Sequence, residues 1–129
     1  MSAEISEKLS QVPKVLVIDD DINHHQLISV SLKKYFTVVS ELSGANAVNC
    51  AIAEKPDLII LDLQMPHVDG FEVLRQLKQH PVLAGIVIFC MSGSNSEESR
   101  ERSSQLGATA FISKPINIKT YLSQYIQKT

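Results

Sequence analysis

At 129 residues, with 44% hydrophobic and 20% charged side chains, the chain has the size and make-up of one ordinary globular domain that can bury a core without staples. A formal charge of -2, with Lys33, Lys34, Arg75, Arg100 and Arg102 spread over separate segments, excludes the clustered basic face of a direct nucleic-acid binder. No stretch reaches the length of a membrane span, the polar N-terminus lacks the apolar centre of a signal peptide, and Cys50 and Cys90 have no Cys or His at zinc-ligand spacing, so a cytoplasmic protein without a structural metal or disulfide is expected.

In chain order, residues 1–12 read as a loose leader closed by Pro13, and 13–129 as a single domain. Val15-Leu16-Val17-Ile18 is an apolar run of the kind that makes a strand covered on both faces, and the first strand is predicted over Lys14 to Asp19. A helix with Ile28, Leu32 and Tyr35 on its apolar side follows. The second strand, Thr37 to Glu41, contains Ser40 and Glu41 and suits an edge. The second helix carries Val48, Ala51 and Ile52, with Cys50 on the same apolar side. Asp57 to Asp62 is the third strand, and Asp69 is placed to cap a third helix bearing Leu74 and Leu77. Ile86 to Met91 forms the fourth strand, with Cys90 inside it. Asn95 to Gln105 then reads as a helix with no apolar stripe, which should be held weakly. Ala110 to Ser113 is a short fifth strand, and Ile118, Leu122 and Tyr125 mark a last helix.

This strict alternation implies right-handed βαβ units and an α/β fold: a five-stranded parallel sheet, order 2-1-3-4-5, flavodoxin-like, with helices on both faces. The three most apolar strands take the centre. Ligands of such sheets sit beyond the carboxyl ends of the strands, where strand order reverses. The first strand runs into Asp19-Asp20-Asp21 and the third ends in Asp62, so Asp19, Asp20 and Asp62 are expected to meet at the junction of strands one and three. Acids gathered there repel one another, and a hard divalent cation, Mg²⁺, relieves that repulsion.

Asp62 is the candidate nucleophile, able to form an aspartyl phosphate once a metal neutralises the incoming oxygens. Asp20, Asp62 and the backbone carbonyl of Gln64 would supply enough protein ligands for Mg²⁺. Ser92 with Gly93 ends the fourth strand and can donate to a phosphoryl oxygen. Lys114, before Pro115, can offer a mobile positive charge. Each has an ordinary reading as well: Asp19 to Asp21 as helix caps, Ser92 as a turn residue, Lys114 as a solvated side chain. Phe111 reads first as core. His24 and His25 read as surface residues, because neighbours on a helix cannot both point at one ion.

Taken together, the Val17-Ile18-Asp19-Asp20 segment, the run from Pro56 to Pro66 with Asp69-Gly70, the strand-end Ser92 and Lys114-Pro115 resemble the receiver domains of two-component response regulators, over nearly the whole length from Lys14 onward. The resemblance implies that Asp62 accepts a phosphoryl group from phosphohistidine on a histidine kinase or histidine phosphotransfer protein. It implies that Asp19, Asp20 and the Gln64 carbonyl hold Mg²⁺ with Asp62, and that Ser92 and Lys114 grip the phosphoryl oxygens. Ser92 and Phe111 would then act as the switch that reshapes the face of helix four, strand five and helix five toward a downstream protein or an output domain. Phe111 stands where tyrosine is frequent, and Gly93 where alanine is usual. The chain is expected to be a stand-alone receiver or one excised from a larger protein. Two other classes compete: a haloacid-dehalogenase-type phosphatase with Asp19 as nucleophile and Asp21 beside it, and a receiver-shaped interaction domain that is never phosphorylated.

Overall fold

The computed structural model describes residues 13–93 and 96–114, so the predicted leader, Pro115 and the last helix lie outside the described residues. The parallel sheet is built from β1 (Lys14–Ile18), β2 (Thr37–Glu41), β3 (Leu58–Asp62), β4 (Val87–Ser92) and β5 (Ala110–Ser113). Its spatial order is β2-β1-β3-β4-β5, the order expected from strand composition. The central strands are buried along nearly their whole length, whereas β2 at one edge is partly exposed.

Because side chains alternate across a strand, the sheet divides its core into two layers. Leu16, Ile18, Ile59, Leu61, Ile88 and Cys90 face one side, where α2 (Ala47–Glu54) and α3 (Gly70–Gln79) contribute Ala47, Ala51, Val73, Leu74 and Leu77. Val15, Val17, Leu58, Ile60, Phe89, Met91 and Ile112 face the other, covered by Ile28 and Leu32 of α1 (Ile22–Leu32) and by Phe36. Phe36 replaces the expected Tyr35, which is 52% exposed while Phe36 is 6% exposed. The physical reason is that α1 ends at Leu32: the closing turn, with Tyr35 and Phe36 amides both donating to the Leu32 carbonyl, rotates Phe36 inward. Cys50 is half-buried against the core and Cys90 fully buried.

Local chemistry explains the helix starts. Asp21, Asp69 and Ser96 each cap a helix, their side-chain oxygens accepting from the backbone N–H of Asn23, Phe71 and Ser99. The fourth helix, α4 (Glu97–Gln105), buries only Ser103, in line with its polar sequence. It is held instead by two arginines: Arg100 lies 4.9 Å from the Phe111 ring and Arg102 lies 4.2 Å from the Phe71 ring.

Candidate functional site

Parallel register brings four strand ends to one rim. Ile18 pairs with Leu61, Asp62 with Met91 and Ser92 with Ser113. Backbone bonds continue the alignment past the strands: Asp19 donates to Glu41, Leu63 to Met91, and Lys114 to Ser92 at 2.8 Å. Asp19, Asp62, Ser92 and Lys114 therefore share one edge of the sheet although 95 positions separate the first from the last in sequence numbering (114 − 19).

Asp62 is 2% exposed. Its Oδ1 accepts from the Gln64 backbone N–H at 2.9 Å, and its Oδ2 lies 3.0 Å from the Lys114 ammonium. Burial pushes the Asp62 carboxyl above the ordinary carboxylate range; the Gln64 N–H and Lys114 oppose that rise, and the Asp19 carboxylate adds to it. Asp19, wholly buried, accepts from the Asp21 backbone N–H through Oδ1 at 2.9 Å and faces His24 Nδ1 through Oδ2 at 2.7 Å. Ser92 is buried beside them, and Phe111 is half-buried beneath Arg100.

The loop after Asp62 folds back sharply. Gln64 pairs with Asp69 and Met65 with Val68 in a two-residue antiparallel ladder. Gly70 is required there, because a Cβ would stand 2.5 Å from the Leu63 Cα. The Gln64 side chain reaches across to β4, its Oε1 accepting from the Gly93 N–H at 2.6 Å, so the loops after β3 and β4 are tied directly above the acids.

One ligand atom each from Asp19, His24 and Asp62 lies within 4.8 Å of the others. Two buried carboxylates, with Lys114 on one and His24 on the other, form a donor set that fits a divalent cation. Asp20 is exposed and stands outside that group.

The histidines correct the sequence reading, which placed both at the surface. His25 is 2% exposed, and its Nε2 donates to the Asp19 carbonyl, while its buried Nδ1 has no hydrogen-bond partner among the described residues. His24 turns to the Asp19 carboxylate. The geometric premise survives, since adjacent residues do diverge, but one goes to the core and the other to the acids. The available signal was the Asp21 cap: capping seats the first turn of α1 over the end of β1, and a residue three positions on then overhangs the strand end.

The sequence profile of the response regulator receiver domain family matches residues 15–126. The chain is 30% identical over 112 residues to a probable cyclic di-GMP phosphodiesterase of Vibrio cholerae, covering 87% of this chain and 25% of that protein. It is 30% identical over 108 residues to the polar-differentiation response regulator DivK of Brucella ovis, covering 84% of this chain and 88% of the relative. Among solved structures, the chemotaxis protein CheY4 of Vibrio cholerae superposes with a TM-score of 0.82 at 28% identity, over 91% of this chain and 98% of that one. The chain spans a quarter of the phosphodiesterase, and what it matches there is the receiver part. Neither a haloacid-dehalogenase fold nor a phosphatase nucleophile at Asp19 is needed to account for these matches. With its profile match, its sheet order and its solved neighbours in agreement, the chain belongs to the response regulator receiver domain family.

Proposed function

We propose that Asp62 is the phosphoacceptor of this receiver domain. The observation that carries the reading is a buried carboxylate at a strand end with Lys114 Nζ 3.0 Å away and Asp19 beside it. In the transfer, an Asp62 oxygen attacks the phosphorus of a phosphohistidine whose other ring nitrogen is protonated, the P–N bond breaks as the P–O bond forms, and the ring leaves as neutral imidazole. Lys114 then exchanges its carboxylate partner for a phosphoryl oxygen, and the Ser92 hydroxyl donates to another.

Mg²⁺ is the cation we assign to the acids; Asp19, Asp20, Asp62 and the Gln64 carbonyl would hold it. Bound there, it would neutralise charge on the phosphoryl oxygens. Shielding is needed because a carboxylate approaching a phosphoryl group meets like charge. The Ser92 and Phe111 side chains would pass the change to the α4–β5 face, since Arg100 rests on the Phe111 ring and inward rotation of that ring would break the contact. That face would serve an output domain or a separate downstream protein.

The phosphodonor surface we assign to α1, where Leu27 and Val30 are 68% and 70% exposed on the helix that begins beside Asp19. A histidine kinase or phosphotransfer protein docking there belongs to the cytoplasm, and among the described residues no helix is long and apolar enough to cross a membrane. Leu27→Asp should slow transfer from a phosphorylated phosphotransfer domain while leaving labelling by a small donor intact. Equal loss from both donors would contradict this surface.

The test of the acceptor is labelling by acetyl phosphate with and without Mg²⁺. Wild type should take up label only with the cation, and Asp62→Asn should take up none. Undiminished labelling of the variant would overturn the reading.

A further inference from the structure

One side chain crosses from the loop after Asp62 to the loop after Ser92. Gln64 is rooted beside Asp62, its backbone N–H on Asp62 Oδ1 at 2.9 Å, and its amide oxygen ends 2.6 Å from the backbone nitrogen of Gly93. We propose that the Gln64 carboxamide is an internal competitor of the phosphoryl group: it occupies the Gly93 N–H while Asp62 is free and has to release it when Asp62 is loaded. This rests on Asp62 being the acceptor, as proposed above, and adds a control on how readily that acceptor fills.

Register puts the two ends of this tie where they compete with a ligand of Asp62. Asp62 pairs with Met91 on the neighbouring strand, and Leu63 donates to the Met91 carbonyl at 2.9 Å, so counting onward sets Gln64 opposite Gly93. A phosphoryl group on Asp62 extends from the rim between these two loops. The Gly93 N–H belongs to the peptide that Ser92 begins, so it would address the same oxygens as the Ser92 hydroxyl. The sequence suits the tie at both ends. A Cβ at position 93 would stand 2.9 Å from Gln64 Oε1, so glycine leaves the amide oxygen the room it uses. At the other end, Gln64 pairs with Asp69, and Gly70 lets the loop close against Leu63, which fixes the root of the side chain.

Strength decides what the tie can do. Gln64 and Gly93 are both exposed, so water competes for each, and a neutral hydrogen bond of this kind shifts an equilibrium by about two- to tenfold. That retards loading without preventing it. A phosphoryl oxygen carries charge, and charge-assisted hydrogen bonds are roughly twice as strong as neutral ones, so the arriving group displaces the amide oxygen.

The experiment is titration of the whole chain with beryllofluoride, a phosphoryl mimic, in the presence of Mg²⁺, for wild type, Gln64→Ala, Gly93→Ala and the double variant, together with ¹H–¹⁵N spectra of the Gly93 amide. Gln64→Ala removes the carboxamide and keeps the backbone carbonyl; Gly93→Ala crowds the carboxamide off its partner. Each should raise beryllofluoride affinity about two- to tenfold. The double variant should gain no more than either single one, because both break the same bond. Without ligand, Gln64→Ala should speed solvent exchange of the Gly93 amide, a readout of the tie that needs no phosphoryl mimic. Unchanged or weaker binding in either single variant, additive gains in the double, or an unaltered Gly93 amide in Gln64→Ala would overturn the proposal. Failure of wild type to take up beryllofluoride at all would instead overturn the acceptor reading, and the competitor with it.

Discussion

Burial sets the chemistry of Asp62. Its carboxyl is held above the ordinary range chiefly by loss of water, so the folded chain retains a proton that the unfolded chain releases over the interval between the two values. In that interval the native state binds more protons, and stability falls as pH rises through the folded-state value. Asp62→Asn should therefore melt above wild type at neutral pH without divalent cation, with the difference shrinking on acidification. A variant melting at or below wild type at neutral pH would contradict the electrostatic account. Cys90 follows the same physics without a function: burial pushes its thiol up to about 12, which keeps it an inert hydrophobe. At this scale the sequence disclosed the strand-end residues well, because a run of four apolar residues followed by Asp or Ser leaves little choice of where the polar residue emerges. It did not disclose His24 and His25. Their directions are decided by how α1 sits on β1, for which the Asp21 cap was the one local sign and apolar periodicity gave none.

Between residue and fold, the connections differ in how much they tolerate. The turn after β3 needs Gly70, since an added Cβ would meet backbone atoms of Leu63 at 2.5 to 2.8 Å, and backbone cannot move aside as a side chain can. Gly85 has nothing within 4 Å of the same added atom. Gly70→Ala should cost about 2–4 kcal/mol, and Gly85→Ala within about 0.5 kcal/mol of zero, by denaturant midpoint. Equal effects would contradict the close approach assigned to Gly70. α4 shows the other extreme. Its lack of an apolar stripe was plain in the sequence, but its anchorage was not, because Arg100 on Phe111 and Arg102 on Phe71 join residues that local periodicity does not relate. Such contacts contribute about 0.5–1 kcal/mol each at exposed sites, less than a buried apolar face would. The end of α1 was misread for a related reason: Tyr35 and Phe36 both continue the spacing from Leu32, and only the closing turn selects between them.

The whole molecule is a sheet that serves as a rigid ruler. Two buried layers fix β1, β3 and β4, and parallel register then sets Asp19, Asp62, Ser92 and Lys114 at one rim. Strand order was legible because composition ranks strands by burial, and the two edge strands are the shortest or most polar. The central claim is that this rim carries its phosphoryl group on Asp62, and borohydride trapping tests it most directly. An acyl phosphate, unlike a free carboxylate, is reduced to the alcohol, so the acceptor aspartate becomes homoserine and can be located by peptide mass spectrometry. After phosphorylation with Mg²⁺ present, the account predicts homoserine at position 62 alone; homoserine at position 19, 20 or 21 would contradict it.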